Sequence, residues 1–195
     1  MKHLATIIAA LLFPAAALAA GGDFVRTSNY YLMSGSALEG RSTIETLATF
    51  DLIVIPSEAQ VYNRAFFPAV RKLNPNIIIL AYVPTVSWND AFWSDPLHAQ
   101  MKKSIRTDWW LRDGNGNVVS IWPNTRALDL NSGWTDFLAG FVLTNMMDTG
   151  LWDGIFYDEV HDRADWQAGY ARLFSATRAN LGSSAVILTN GSSSA

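Results

Sequence analysis

Asp158 and Glu159 stand at the end of an apolar run, Trp152-Asp153-Gly154-Ile155-Phe156-Tyr157-Asp158-Glu159-Val160. Carboxyl groups do acid, base and nucleophilic work, and a pair of them hydrolyses glycosidic bonds. Acids at the end of such a run are costly unless they stand at a polar mouth, because buried charge must be paired. In parallel α/β folds that mouth is the C-terminal edge of the strands, where active sites collect. Side chains alternate along a strand, which puts Gly154, Phe156 and Asp158 on one face and Ile155, Tyr157 and Glu159 on the other. Gly154 suits a tightly filled interior, so Asp158 is the first catalytic candidate and Glu159 the second. The competing reading places both acids in a helix-capping loop, with His161 and Arg163 as solvated partners.

Other apolar runs also end in hydrogen-bonding groups. Glu58 follows Ile55-Pro56-Ser57, Tyr82 follows Ala81, and Asn190 follows Leu188-Thr189. Asp129, in Leu128-Asp129-Leu130-Asn131, either caps the next helix or touches a ligand. Five of the eight tryptophans, Trp88, Trp93, Trp109, Trp110 and Trp122, fall in one segment. Pyranose rings stack their C–H faces on indoles and offer hydroxyls to Asp, Glu and Asn. Trp88, Trp109, Trp110 and Trp122 are therefore candidate sugar platforms, with core packing as the alternative for each. Trp134 and Trp166 lie on helical apolar stripes and belong to the core.

Other chemistries have little to work with. The chain has no Cys and three His, which leaves few ligands for zinc or iron. Neither a metal nor a cofactor is expected. Fourteen basic residues face seventeen acidic ones, giving a formal charge of −3 and no basic stripe for nucleic acid. His98 and His161 have no matching G-x-S-x-G elbow, and no glycine-rich nucleotide loop occurs.

Five β-rich runs set the framework: Tyr30-Met33, Asp51-Ile55, Ile77-Val83, Gly154-Val160 and Ala185-Thr189. None alternates strictly, as expected of strands buried on both faces of a parallel sheet. Helical patterns lie between them: a short one capped at Ser42-Thr43, Phe66 to Leu73, Ala91 to Ile105, one capped by Ser132, and one capped by Asp165. Asp113-Gly114-Asn115-Gly116 predicts a hairpin turn inside the Trp-rich segment. Two closures fit the alternation: a doubly wound five-stranded sheet, or a (β/α)8 TIM barrel, typically about 250 residues, truncated after its fifth strand. The chain stops just after an apolar strand, which favours the barrel, because an uncovered edge leaves apolar surface wet.

Lys2 and His3 followed by apolar Leu4 to Leu18 and Ala17-Leu18-Ala19 form a secretory signal over residues 1–19, leaving 20–195 as one domain. That address implies a secreted or periplasmic protein with no membrane association after cleavage.

Tyr82-Val83-Pro84, Ala127-Leu128-Asp129-Leu130-Asn131, the Asp153-Gly154-Ile155-Phe156-Tyr157-Asp158 strand and Thr189-Asn190-Gly191 together resemble bacterial (β/α)8 glycoside hydrolases. The families meant are the hypothetical glycosyl hydrolases near endo-α-1,4-polygalactosaminidase-like and α-galactosidase-like barrels. The resemblance covers the first five of eight β/α units. It implies hydrolysis of a carbohydrate substrate, a catalytic carboxylate at the fourth strand that maps onto Asp158, and a general acid on a later strand. Glu58 then reads as a sugar contact, with the second acid as its alternative role. A non-catalytic polysaccharide-binding protein on the same scaffold is the alternative.

Overall fold

Short runs of Ile, Val and Leu bounded by turn residues pair most readily with one another, and the chain uses them as parallel strands joined by helices. In the computed structural model, which describes residues 26–191, five strands pair in the order β1 (Ser28–Tyr30), β2 (Leu52–Pro56), β3 (Ile78–Pro84), β6 (Gly154–Val160) and β7 (Val186–Gly191). All four pairings are parallel. The sheet curls into a half barrel with helices alternating along it, so the fold is a partial (β/α) barrel. The doubly wound alternative is set aside. The signal reading for residues 1–19 lies outside the described residues.

Register sorts the side chains into two layers. Ile53, Ile55, Ile79, Ile155 and Tyr157 pack outward into the main core with the helices. Val54, Leu80 and Phe156 form a second, smaller cluster on the inner face, flanked by Tyr82. Helices α1 (Ser36–Glu39), α2 (Arg41–Leu47), α3 (Ala59–Tyr62) and α4 (Phe66–Leu73) cover the first crossings. The longer α6 (Trp134–Asn145) and α7 (Gln167–Leu181) cover the later ones. α7 starts after Trp166, and Asp165 pairs with Arg163 at 2.6 Å instead of capping it. No helix among the described residues is long and apolar enough to cross a membrane.

The Trp-rich segment between β3 and α6 is built around an antiparallel pair, β4 (Ser87–Trp88) with β5 (Arg126–Ala127), and helix α5 (Pro96–Ser104). The turn at Asp113 forms as expected, its carboxylate accepting the N–H groups of Asn115 and Asn117. Its arms pair antiparallel at Arg112 and Val118, with the Val119 N–H on the Leu111 carbonyl and the Asp113 N–H on the Asn117 carbonyl, both at 2.9 Å, so a short hairpin forms.

Asp95 fixes the start of α5. One carboxylate oxygen accepts the N–H groups of Leu97 and His98 at 3.0 and 3.2 Å, and the other takes the His98 ring Nδ1–H at 2.5 Å. Pro96 at the first helical position needs no donor there. Burial works to raise the Asp95 pKa, but the His98 ring and the capping N–H groups outweigh it and hold the carboxyl below its ordinary range. Replacing Asp95 by Ala removes the cap and strands a buried imidazole, costing about 2–3 kcal/mol in urea unfolding at neutral pH. Because the folded pKa is lowered, that difference is full above about pH 4, the ordinary carboxylate value, and shrinks as the pH falls below it.

Candidate active site

Asp158 sits on the inner face of β6 at the C-terminal mouth of the sheet, opposite Pro84 in register. Four donors converge on its carboxylate. Oδ2 accepts the phenol of Tyr82 at 2.9 Å and that of Tyr30 at 3.3 Å. Oδ1 accepts the Asn190 side-chain N–H at 2.8 Å and the backbone N–H of Glu159 at 2.8 Å. The parallel register brings these groups together across four strands. Burial first, and then the adjacent Asp158 charge, push both phenols above the ordinary tyrosine range, so each stays protonated and donates. Tyr30 also packs on Phe156 and Tyr82, with ring centroids 5.2 and 6.0 Å away.

Strict alternation would turn Glu159 toward the helices. Instead Glu159 has φ of 62°, and the β6–β7 register slips between Tyr157 and Val160. This bulge re-aims the side chain, as bulges beside active sites do. The Glu159 carboxylate accepts the Ser87 N–H at 2.9 Å and the Ser87 hydroxyl at 2.5 Å, tying β4 to the mouth. Both acids line one open cavity of about 410 Å³, together with Trp122, His161, Asp162 and Asn190.

The other expected contacts separate. Tyr82 and Asn190 reach Asp158 directly, and half-exposed Trp122 walls the cavity. Trp88 is withdrawn as a sugar platform: it is 2% exposed, packs edge-on against Trp93, and gives its indole N–H to Asp90. Trp109 is withdrawn because it lies against Trp134, Phe137 and the backbone at Gly133, away from the cavity. One face of Trp110 is covered by the Arg126 guanidinium, 4.3 Å from the ring centre. Asp129 serves its own turn, accepting the Asn131 N–H at 2.9 Å. Glu58 stands at the end of β2, where it accepts the Ser34 hydroxyl at 3.0 Å.

Beside Glu58 the fold builds an arrangement that no motif announced. The Ser57 hydroxyl lies 3.4 Å from His98 Nε2, and His98 Nδ1 bonds Asp95. Serine, imidazole and carboxylate in that order suggest acyl transfer. Ser57 is only 1% exposed, however, and faces an enclosed, mainly apolar cavity. Glu58, Asp95 and His98 also bring one ligand atom each within 4.8 Å of one another. Asp95 spends its oxygens on the α5 cap and the His98 ring, so the group latches α5 to the segment that follows β2.

With this geometry in place, comparison with known proteins gives the family. The model of hypothetical glycosyl hydrolase family 15 matches residues 71–195, more than half of the chain. The chain belongs to that family. The matched span of this family 15 chain takes in β3, the Trp-rich segment and β6 with Asp158. Among solved structures, the chain is similar to a GH36 alpha-galactosidase, AgaB, from Geobacillus stearothermophilus. Its TM-score there is 0.55 at 11% identity, over 86% of this chain and 28% of that one. A noncanonic maltogenic alpha-amylase from Thermotoga neapolitana gives 0.53 at 12%, over 83% and 44%. A cycloisomaltooligosaccharide glucanotransferase from Paenibacillus gives 0.55 at 15%, over 85% and 30%. These likenesses are of fold, and the family 15 chain spans less than half the length of each. No curated protein sequence matches it.

Proposed function

We propose that the chain hydrolyses glycosidic bonds of an oligo- or polysaccharide, with Asp158 as the carboxylate that attacks the anomeric carbon or draws a proton from the attacking water. The convergence of four donors on that one side chain, at the mouth of a glycosidase-type barrel, carries the reading. Such donors hold a carboxylate in one orientation while leaving it able to face an oxocarbenium-like centre. The half-exposed indole of Trp122 in the same cavity supports a stacked sugar. Glu159 is the second candidate, with both of its oxygens engaged by Ser87. Export through residues 1–19 belongs to the same proposal, and an N-terminus at Ala20 in protein recovered from the periplasm or medium tests it.

The deciding experiment incubates the full-length protein with stachyose, maltoheptaose and a polysaccharide panel, following the first-formed anomer by NMR. Retention assigns Asp158 as nucleophile, and inversion assigns it as base toward water. No product from any member overturns the reading. Replacing Tyr82 by Phe removes one of the two phenol donors and lowers kcat about tenfold, the value of a hydrogen bond to a charged group. Its thermal midpoint changes little, and unchanged kcat removes Tyr82 from the site.

A further inference from the structure

His161 lines the cavity wall, and the mechanism above gives it no task. Its backbone is fixed: the Tyr170 phenol accepts the His161 N–H at 3.1 Å and donates to the Glu159 carbonyl at 2.6 Å. Its ring sits between two indoles, 5.6 Å from Trp166 at 71° and 6.5 Å from Trp122 at 38°. Nε2 is shut from solvent and is the one buried side-chain N or O among the described residues that has no hydrogen-bond partner. Leaving such an atom unpaired costs about 1–3 kcal/mol, so its presence calls for an explanation.

The two indoles beside it differ in freedom. Trp166 is 1% exposed, and the Arg163 guanidinium stands 4.2 Å over its ring, so it is part of the core. Trp122 is 51% exposed. Its turn is tied through its backbone to Ser120 and Thr125, and no bond holds its indole N–H among the described residues. Of the two, Trp122 is therefore the one free to move, and with His161 it lines the cavity that holds Asp158.

We propose that His161 is a substrate-binding residue, kept covered by Trp122 in the sugar-free state and uncovered when an entering sugar displaces that indole. Nε2 then pairs with a sugar hydroxyl, which can donate to the ring nitrogen or accept from it. The displaced indole offers its face to the same sugar. The unpaired nitrogen is thus a binding position whose partner is the ligand. This rests on the glycosidase reading above and adds to it a specific contact.

Two measurements on the full-length protein test it. The first is carbethoxylation of His161 at Nε2 by diethyl pyrocarbonate, with the acylated ring nitrogen assigned by NMR, which needs no substrate. His161 reacts at least about tenfold faster in Trp122→Ala than in the wild type, the factor expected when a cover worth about 1.4 kcal/mol is lost. Equal rates overturn the covering role. The second compares His161→Leu with His161→Gln on whichever of stachyose and maltoheptaose the wild type cleaves. The Leu variant raises KM about tenfold, with kcat within about twofold, and Gln recovers most of the loss because its amide still bonds a hydroxyl. Equal loss in both variants marks His161 as merely structural and overturns the binding role. Absence of cleavage by the wild type sinks the glycosidase reading and the binding role with it, while the labelling result still decides whether Trp122 covers His161.

Discussion

Replacing Asp158 by Asn in the full-length protein lowers kcat for glycoside hydrolysis by about 10³-fold, in the range expected for losing a catalytic acid–base group. The folded state tolerates the change. Asn keeps the shape, and its carbonyl oxygen can stay where Oδ1 accepts from Asn190 and the Glu159 backbone. Its amide nitrogen then occupies the Oδ2 position, where the Tyr82 and Tyr30 hydroxyls rotate from donating to accepting. All four contacts survive, and only the nucleophilic or basic lone pair is lost. KM and the thermal midpoint therefore stay close to wild type while kcat collapses. A variant that still turns over at near wild-type rate removes Asp158 from the chemistry. A folded variant with wild-type sugar affinity, from a parent that never cleaved sugar, supports a binding protein.

The strands were legible because each is a short apolar run between turn residues, and a period of two put Phe156 and Asp158 on the inner face. That rule fails one residue later. Nothing in the composition of Asp158-Glu159-Val160 announces that Glu159 takes a left-handed backbone angle, a conformation that costs a non-glycine residue energy and is held by the surrounding contacts. Tyr30 escaped notice because its partner is 128 residues away in the chain. Only the parallel register brings the two together. The tryptophans show a different limit: Trp88 and Trp122 share a segment and a residue type, yet one is core and the other walls the cavity. Spacing carries no information on which loop folds inward. The Ser57–His98–Asp95 latch did leave a partial trace, since Asp95 before Pro96 is a helix-start signal that fixes Asp95 close to His98. Ser57, 41 residues before His98 in the chain, left none.

Replacing Gly154 by Ala destabilises the fold by about 3 kcal/mol or more, the upper range for forcing extra volume into a packed interior. Gly154 opens β6, where a filled barrel interior by itself favours a glycine. The structure gives a sharper reason. A Cβ at Gly154 would stand 1.9 Å from the Val186 carbonyl oxygen and 2.7 Å from its carbon. These are backbone atoms of β7, which cannot turn aside as a side chain can. Gly154 is also paired to Leu80 of β3, so β6 cannot yield toward its other neighbour without breaking that ladder. The strain falls on the strand that carries Asp158, and a shift of β6 also separates Asp158 from Tyr82 and Asn190. Gly140, inside α6, has nothing within 4 Å of a new Cβ and serves as the control. Ala there raises stability by about 0.5–1 kcal/mol through helix propensity. Urea unfolding of the two variants reads the contrast directly. Equal stability of Gly154→Ala and the wild type means that β6 and β7 are not this close, and the placement of Asn190 against Asp158 then fails with them.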